Sequence, residues 1–454
     1  MLKYRIDHDS LGPVKIPSDA YFGPFTGRAI KQYNVTGDPS HRNLIKSFVM
    51  IKRSAAVANM KTKAISKKQG TAIVKACDKI LTGKHVDQFV VDMINSGAGT
   101  AFNMNTNEVI TNVALKILGK KQGQYQFLHP NDHVNMSQSS NDTYPTAMHM
   151  AILFSFKEML PVIDKLIKSI NKKAKQFSKY KKVGRTHLMD ALPVTLGSEF
   201  AAYSTALTNA RNEIVESQEE LKQIALGGTA VGTGANTPRG YRKAVITELG
   251  RISKLPLKPQ RDMQYSLQSK FPIANASSAL KNFAIELSKI SNDIRMMVSG
   301  PVAGLSEIGI PAVHAGSSIM PGKVNPSLAE CMNMICFSVI GNDTTVSFSA
   351  QAGQFELNVM LPGMLKAVLD STDMLTNFLP IFSVNLIDGL TANQTKLREN
   401  IENSPVIVTL LAPKIGYLKS AELFKESLNT GKTIRELVVS KKLMTNKQVS
   451  ALMD

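Results

Sequence analysis

The sequence is poor in cysteine, short of acidic residues, and has no long apolar run. Only Cys77, Cys331 and Cys336 occur among 454 residues, and such an odd, scattered set argues against a disulfide framework and is typical of a reducing compartment. No stretch of about 18 uninterrupted apolar residues is present, as a membrane-spanning helix would require. The polar segment Met1–Asp9 lacks the apolar centre of a secretory signal. We therefore expect a cytoplasmic protein with no membrane partner.

Acidic residues are outnumbered by basic ones, 35 to 54, which gives a formal net charge of +19. An excess of this size can indicate nucleic-acid binding. The lysines are spread along the chain in pairs such as Lys120-Lys121 and Lys441-Lys442, with no basic tail and no aromatic-interleaved block. This pattern favours a solvated surface and no nucleic-acid partner. A positive potential that attracts an anionic substrate is the alternative.

Helical periodicity is the dominant pattern of the chain. Apolar residues recur at steps of three and four in three long stretches, which predicts a bundle of long helices and a mainly α fold. The stripes are Ile152, Phe156, Met159, Ile163, Leu166 and Ile170; Phe200, Tyr203, Leu207, Ala210, Ile214 and Leu221; and Leu280, Phe283, Leu287, Ile290, Ile294 and Met297.

Outside these stretches the patterns are shorter. The first 40 residues are rich in turn formers and predict an irregular, extended arm. Residues 44–81 and 103–118 are typical of helix, and residues 95–100 of a loop. The glycine-rich segments 184–197, 227–240 and 300–326 are predicted to be loops, where chemistry is most often found. Short helices and turns are expected from about Asn400 onward.

The most unusual segment is Gly316–Pro326, GSSIMPGKVNP. Its glycines and prolines predict a flexible loop with hinges at Gly316 and Pro321-Gly322. It carries a hydroxyl that can act as a base, a cation and an amide, a set that suits removal of a proton next to a carboxylate. Lys323 would neutralise the developing charge. An ordinary surface loop is the alternative interpretation.

Two further segments carry polar side chains close together. Ser137–Asp142, SQSSND, is typical of the N-cap of a helix beginning near Pro145, or of a helix start turned toward a carboxylate. In Gly184–Asp190, GRTHLMD, His187 is either a proton shuttle or a structural hydrogen-bonding residue. Ala98–Thr100 is followed by asparagines at steps of two, which either line a site or cap turns.

No pattern for a cofactor or a metal stands out. The segment Gly227–Gly234, GGTAVGTG, superficially resembles a phosphate-binding loop but is not followed by Gly-Lys-Ser/Thr. The cysteines and histidines lack metal-ligand spacing. We therefore expect no cofactor and no metal site.

Taken together, these segments resemble the fumarase/aspartase superfamily, in the family's order and over essentially the whole chain. GSSIMPGKVNP matches the signature loop of that family. The other matching segments are AGT at 98–100, NMNTNEV at 103–109, HPNDHVN at 129–135, SQSSND at 137–142, GRTHLMDALP at 184–193, LGGTAVGTG at 226–234, VIGNDTTV at 339–346 and QFELNVM at 354–360.

The resemblance implies a three-domain fold with a central bundle of long helices, which we divide at residues 1–138, 139–395 and 396–454. It also implies a homotetramer with a shared 20-helix core, in which three subunits contribute to each active site. The implied reaction is cofactor-free anti-elimination on a small dicarboxylate. HPND at His129–Asp132 resembles the family's secondary carboxylate site.

The resemblance also assigns roles to single residues. Ser317 is implied as the base, and Lys323, His187 and Glu330 as its catalytic partners, with Glu330 orienting His187. A serine base requires activation by several pKa units, for which the loop amides and Lys323 are the candidates. The residues implied in substrate binding are Thr100, Ser139, Ser140, Asn141, Thr186, Ser318 and Asn325.

Two leaving groups fit the family, ammonia and water. DQFVVD at 87–92, AGT, GQYQF at 123–127 and GPVAGLSEI at 300–308 favour the release of ammonia from L-aspartate. Ser140, within SSND, together with TYPTAMHMA and LGGTAVGTG, favours the alternative, the release of water from L-malate. The longer set predicts reversible deamination of L-aspartate to fumarate and ammonia. Leu361, where ammonia-releasing members have glutamate, departs from that pattern.

Overall fold

The computed structural model describes residues 3–453 and is mainly helical. Helix accounts for 63% of the chain, which confirms the predicted class and the long helices. In chain order the helices are α1 Pro24–Gln32, α2 Arg42–Lys61, α3 Lys67–Leu81, α4 Thr100–Ile117, α5 Ser140–Gln176, α6 Leu196–Leu221, α7 Tyr241–Ser253, α8 Met263–Gln268, α9 Phe271–Val298, α10 Ser327–Gln351, α11 Leu361–Asn385, α12 Gln394–Asn403, α13 Ala412–Ile415, α14 Tyr417–Thr430, α15 Ile434–Ser440 and α16 Asn446–Met453.

The strands are short and form only two-stranded sheets among the described residues. Three pairs are antiparallel and the β5–β6 pair is parallel. The strands are β1 Tyr4–Asp9, β2 Gly12–Pro17, β3 Lys181–Thr186, β4 Met189–Thr195, β5 Gln223–Ile224, β6 Lys258–Pro259, β7 Ile308–Gly309 and β8 Thr391–Ala392.

The three predicted apolar stripes lie on α5, α6 and α9, and every one of their residues is buried. Steps of three and four place these side chains on one side of each helix, so a single stripe supplies the core-facing surface. Burying an apolar side chain of this kind contributes roughly 1.5–3 kcal/mol relative to exposure. The stripes therefore explain why these segments are long helices.

The chain divides into two compact units. The first contains the segment that ends at Leu160 together with Arg211–Asn282 and Phe337–Leu375, and the second contains Pro161–Ala210, Phe283–Cys336 and the segment that begins at Thr376. The division at 1–138, 139–395 and 396–454 stays a prediction. None of the described helices is both long and apolar enough to cross a membrane.

The prediction of an irregular N-terminal arm is wrong. Residues 4–17 form the β1–β2 hairpin and residues 24–32 form α1. The start of α1 is fixed by Glu108 of α4, whose carboxylate accepts hydrogen bonds from the backbone N–H groups of Gly23, Phe25 and Thr26 at 2.8–3.1 Å. The local sequence could not reveal this cap, because it comes from a residue more than 80 positions away.

Two predicted boundaries also change. Helix α5 begins at Ser140, not near Pro145, because Ser139 Oγ accepts a hydrogen bond from the N–H of Asn141 at 3.2 Å and Asp142 accepts one from the N–H of Ser139 at 3.0 Å. The segment 184–197, predicted as a glycine-rich loop, lies mostly in the β3–β4 hairpin of residues 181–195, and its last two residues begin α6. At its tip His187 and Leu188 have φ of 55° and 61°, the two left-handed residues that a tight two-residue hairpin turn requires.

Candidate functional site

In the first unit, two helix starts converge. Helix α4 begins at Thr100 and α5 at Ser140, and the two Oγ atoms share a hydrogen bond of 3.1 Å. Gly99 makes this approach possible, because a Cβ there would lie 1.8 Å from the ring of Tyr144, which is fully buried. Packing therefore requires glycine at position 99 of the AGT segment. Its absence of a side chain allows Thr100 to come within hydrogen-bonding distance of Ser140.

The convergence has a chemical consequence. The first four N–H groups of a helix lack partners within the helix, and the helix dipole adds positive potential there. Thr100, Ser139, Ser140 and Asn141 are all partly exposed, so their polar atoms remain accessible. The structure thus brings four predicted binding residues together at a place suited to a carboxylate.

The carboxylate of Asp142 stabilises the start of α5. The side chain is fully buried, and its carboxylate accepts hydrogen bonds from the N–H groups of Ser139 at 3.0 Å, Gly227 at 3.0 Å and Thr229 at 2.9 Å. Burial raises its pKa to about 6 although these hydrogen bonds oppose the shift. Asn141 Nδ2 also donates to the carbonyl oxygen of Ala230. The 227–234 segment is therefore a support for the start of α5.

A buried lysine lies in the same region. Lys52 of α2 is completely buried, and its Nζ donates to Asn103 Oδ1 at 2.6 Å and to Asn135 Oδ1 at 2.9 Å. Burial lowers the pKa of Lys52 to about 7. Asn103 thus has a structural role, and of the two interpretations of the asparagine series, its contacts favour the structural one for this residue.

The predicted secondary carboxylate segment shares a cavity with Thr100. This cavity of about 690 Å³ is lined by residues that include Arg28, Thr100, His129 and Asn131. His129 Nδ1 accepts from the N–H groups of Asn131 and Asp132 at 3.3 Å, which orders the HPND turn. Thr100 and His129 are thus accessible from one space within the first unit.

In the second unit, Ser317 lies in the loop between β7 and α10. The Ser317 Oγ accepts hydrogen bonds from the N–H groups of Ile319 at 3.3 Å and Met320 at 3.1 Å. Gly316 has φ of 71°, and a Cβ there would lie 2.5 Å from the carbonyl oxygen of Lys323, so the two arms of the loop meet at this glycine. Ser318 and Lys323 are exposed, while Asn325 is partly buried.

Thr186 and His187 are exposed at the tip of the β3–β4 hairpin. Glu330 is partly buried in the first turn of α10. Within the described residues no hydrogen bond or ion pair joins His187 to Glu330, so the chain by itself does not form the predicted orienting contact. That Glu330 orients His187 therefore stays a prediction.

One cluster was not found from the sequence. Glu307 is completely buried, with Lys182 Nζ at 2.7 Å from Oε2 and Arg185 Nη1 at 2.8 Å from Oε1. Both cations belong to β3, and Glu307 immediately precedes β7. A charge between Ser306 and Ile308, with Leu305 close by, was the available signal, since a charged residue among apolar ones is buried only when it is paired.

Metal-binding groups do not cluster in the described residues: no three His, Cys, Asp or Glu side chains are placed so that they could hold a metal ion. Apart from Glu330, the predicted site residues carry hydroxyl, amide, imidazole or ammonium groups. Groups of these types can donate hydrogen bonds to a carboxylate.

Comparison with known families explains the pattern. A Lyase family profile matches residues 12–341, and a profile of the fumarase C C-terminus matches residues 407–454. The chain belongs to the fumarase/aspartase superfamily. An aspartate ammonia-lyase from a Bacillus species is 43% identical to this superfamily member over 99% of this chain and 96% of its own length. The aspartate ammonia-lyase of Escherichia coli K12 is 42% identical over 98% of this chain and 94% of its own.

Solved structures of the superfamily agree over the whole chain. A fumarate lyase:delta crystallin from Brucella melitensis is 40% identical with a TM-score of 0.97, covering 100% of this chain and 98% of that one. A class II fumarase from Schistosoma mansoni is 34% identical with a TM-score of 0.95 over the same shares. The superfamily fold predicted from the sequence motifs is therefore confirmed.

Proposed function

We propose that this chain catalyses the reversible deamination of L-aspartate to fumarate and ammonia. The observation that carries the proposal is full-length identity of 40–43% to relatives named aspartate ammonia-lyase in Bacillus, Escherichia, Corynebacterium and Helicobacter. The carboxylate-compatible convergence of Thr100 and Ser140 supports the same substrate class.

Binding follows from the groups that are present. One substrate carboxylate is bound by Thr100, Ser139, Ser140 and Asn141 at the starts of α4 and α5, where N–H groups and hydroxyls donate to it. The other carboxylate is bound by Lys323 and Asn325, with Thr186 and Ser318 as further donors. Charge-assisted hydrogen bonds of this kind are roughly twice as strong as neutral ones, which suits a dianionic substrate.

The proposed chemistry begins at Ser317. Its Oγ takes the proton from C3, and the electron pair of that C–H bond moves into the adjacent carboxylate to give an aci-carboxylate dianion. The electron pair then returns to form the C2–C3 double bond as the C2–N bond breaks and ammonia leaves from the opposite face. Ser317 afterwards loses its proton to solvent, and His187 serves as a proton shuttle.

A serine hydroxyl is a weak base at neutral pH, so its deprotonated form requires stabilisation. The two N–H groups that donate to Ser317 Oγ favour an oxyanion over a neutral hydroxyl. Lys323, six residues along the same loop, adds a positive charge for the dianionic intermediate. These two features support Ser317 over Ser318 as the base.

We further propose a homotetramer in which subunits share active sites. Helix α10 leaves Met334, Phe337 and Phe348 exposed at 60%, 58% and 65%. Large apolar side chains that are exposed together often mark an interaction surface, so these three side chains support burial against other copies of the chain. Light scattering of the purified protein tests this proposal, and a monomer at micromolar concentration would contradict it.

The decisive experiment follows the ultraviolet absorbance of fumarate while L-aspartate and L-malate are supplied in separate reactions. We expect the absorbance to grow with L-aspartate. Growth with L-malate alone would instead favour the hydratase, an outcome that Ser140 and the similarity to a class II fumarase keep open. A protein boiled before assay provides the control for non-enzymatic change.

A further inference from the structure

The buried cluster around Glu307 joins two segments that the proposed chemistry uses. Its carboxylate lies between Lys182 and Arg185 of β3, whose side chains are 2% and 17% exposed. Arg185 directly precedes Thr186 and His187 in the chain. The hairpin tip that carries these two residues is therefore tied at its base to Glu307.

The main chain of Glu307 is fixed as firmly as its side chain. Its N–H donates to the carbonyl oxygen of Met297 at 2.8 Å, and its carbonyl oxygen accepts from the N–H of Asn393 at 2.9 Å. The next two residues, Ile308 and Gly309, pair with β8. The loop that carries Ser317 therefore begins directly after two residues whose position is fixed by this pairing.

Stability alone is a poor explanation for this arrangement. Removing two or more charges from water is costly, and well-packed apolar residues often replace buried ion pairs with no loss of stability. What an ion cluster adds is fixed geometry, because each oxygen of Glu307 faces its own cation. Such geometry is useful where a misplacement of about 1 Å costs about a hundredfold in rate.

We propose that Glu307 is a positioning residue that holds the Thr186–His187 hairpin and the start of the Ser317 loop in register with each other. Its carboxylate fixes the hairpin through Lys182 and Arg185, and its main chain fixes the loop. The chemical tasks of the two segments rest on the proposed function, whereas the mechanical link between them does not.

The test is Glu307→Gln in the full-length protein, which keeps the shape of the side chain and removes its charge. Hydrogen–deuterium exchange should become faster in residues 183–195 and, to a smaller extent, in residues 308–326, with α4 unchanged. Turnover of L-aspartate should fall at least tenfold. The isotope effect with aspartate deuterated at C3 should increase, because a misplaced base makes proton removal more rate-limiting, whereas a smaller folded fraction leaves that ratio unchanged.

The matched control is Glu199→Gln. Glu199 also pairs with Lys182, at 2.9 Å, but its side chain is 32% exposed. Lys182 keeps its buried partner Glu307 in this variant, so exchange and turnover should stay within about threefold of the wild type. If Glu307→Gln does not fold, the double variant Lys182→Met, Glu307→Gln, which also removes the buried cation that has lost its partner Glu307, takes its place.

Several outcomes would overturn the inference. If exchange in the hairpin of Glu307→Gln is unchanged, Glu307 does not hold the hairpin. If exchange becomes faster in the hairpin but not in residues 308–326, Glu307 does not hold both segments. A turnover loss that matches the loss of folded protein, with an unchanged isotope effect, removes the positioning role. If the wild type releases no fumarate from aspartate, the proposed function fails instead, and the exchange experiment still decides the link.

Discussion

The two groups of candidate site residues differ in how the fold holds them. In the first unit, Thr100 and Ser140 begin buried helices and are hydrogen bonded to each other, and Asp142 is fastened by three backbone N–H groups. In the second unit, Ser317, Lys323 and His187 lie on a loop and a hairpin tip that are largely exposed. The residues proposed to bind one carboxylate thus begin two packed helices, while the proposed base, the proposed proton shuttle and the donors to the other carboxylate lie on segments that are exposed.

The difference has a physical reason. A carboxylate site gains from rigid donors, because every donor that must be ordered on binding costs conformational entropy. A proton-transferring group must instead reach the reacting carbon, and exposed segments allow this when their bases are fixed. If this comparison is correct, substitutions in the two groups affect different kinetic constants.

The largest effect is expected from Ser317→Ala. Without the hydroxyl no group on the loop takes the C3 proton, so kcat should fall by about 10²–10⁴-fold, with little change in Tm because Ser317 is only partly buried. Steady-state kinetics and thermal unfolding measure both. Ser318→Ala keeps the proposed base and should remain measurably active. A Ser317→Ala enzyme with wild-type turnover would exclude serine as the base.

Thr100→Val should act mainly on binding. The substitution keeps the shape of the side chain but removes the hydroxyl that bonds to Ser140, so KM should rise about 10- to 100-fold with a smaller fall in kcat. Thr100→Ser should restore most of the affinity. A fall in kcat with unchanged KM would contradict the distinction between the two groups.

Gly316→Ala tests how the Ser317 loop is held. The new Cβ would lie 2.5 Å from the carbonyl oxygen of Lys323 at a φ of 71°, so we expect kcat to fall about tenfold or more. Gly322→Ala is the matched control, because its φ is 78° but open space surrounds the site. It introduces only the left-handed strain of about 1–2 kcal/mol. Equal losses in both variants would show that the contact at Gly316 is unimportant.

The last effect concerns stability in the first unit and not turnover. Lys52 titrates near pH 7 when folded and near 10.5 when unfolded, so the unfolded chain binds more protons between these values. Lys52 therefore adds stability as the pH rises from about 7 to 10. The Tm of the wild type should rise over this range relative to that of Lys52→Met. Exposed Lys61 on the same helix is the control, and Lys61→Met should show no such trend.

Much of this architecture is readable from local patterns. The stripes of α5, α6 and α9 repeat every three to four residues, and such repeats determine which side of a helix is buried whatever its neighbours are. Family motifs identified the polar segments that contain Thr100, Ser140, His187 and Ser317. They could do so because these segments keep their residue types and order along the chain.

Only the tertiary structure decided which distant parts of the sequence are in contact. The cap that Glu108 provides for α1, the N–H groups of Gly227 and Thr229 on Asp142 and the cations on Glu307 join residues about 80 to 125 positions apart. No local periodicity encodes such pairs, since burial of a charge depends on which partners the fold delivers. The sequence by itself determined the helices and the chemical groups, and packing determined which groups are fixed and which remain exposed.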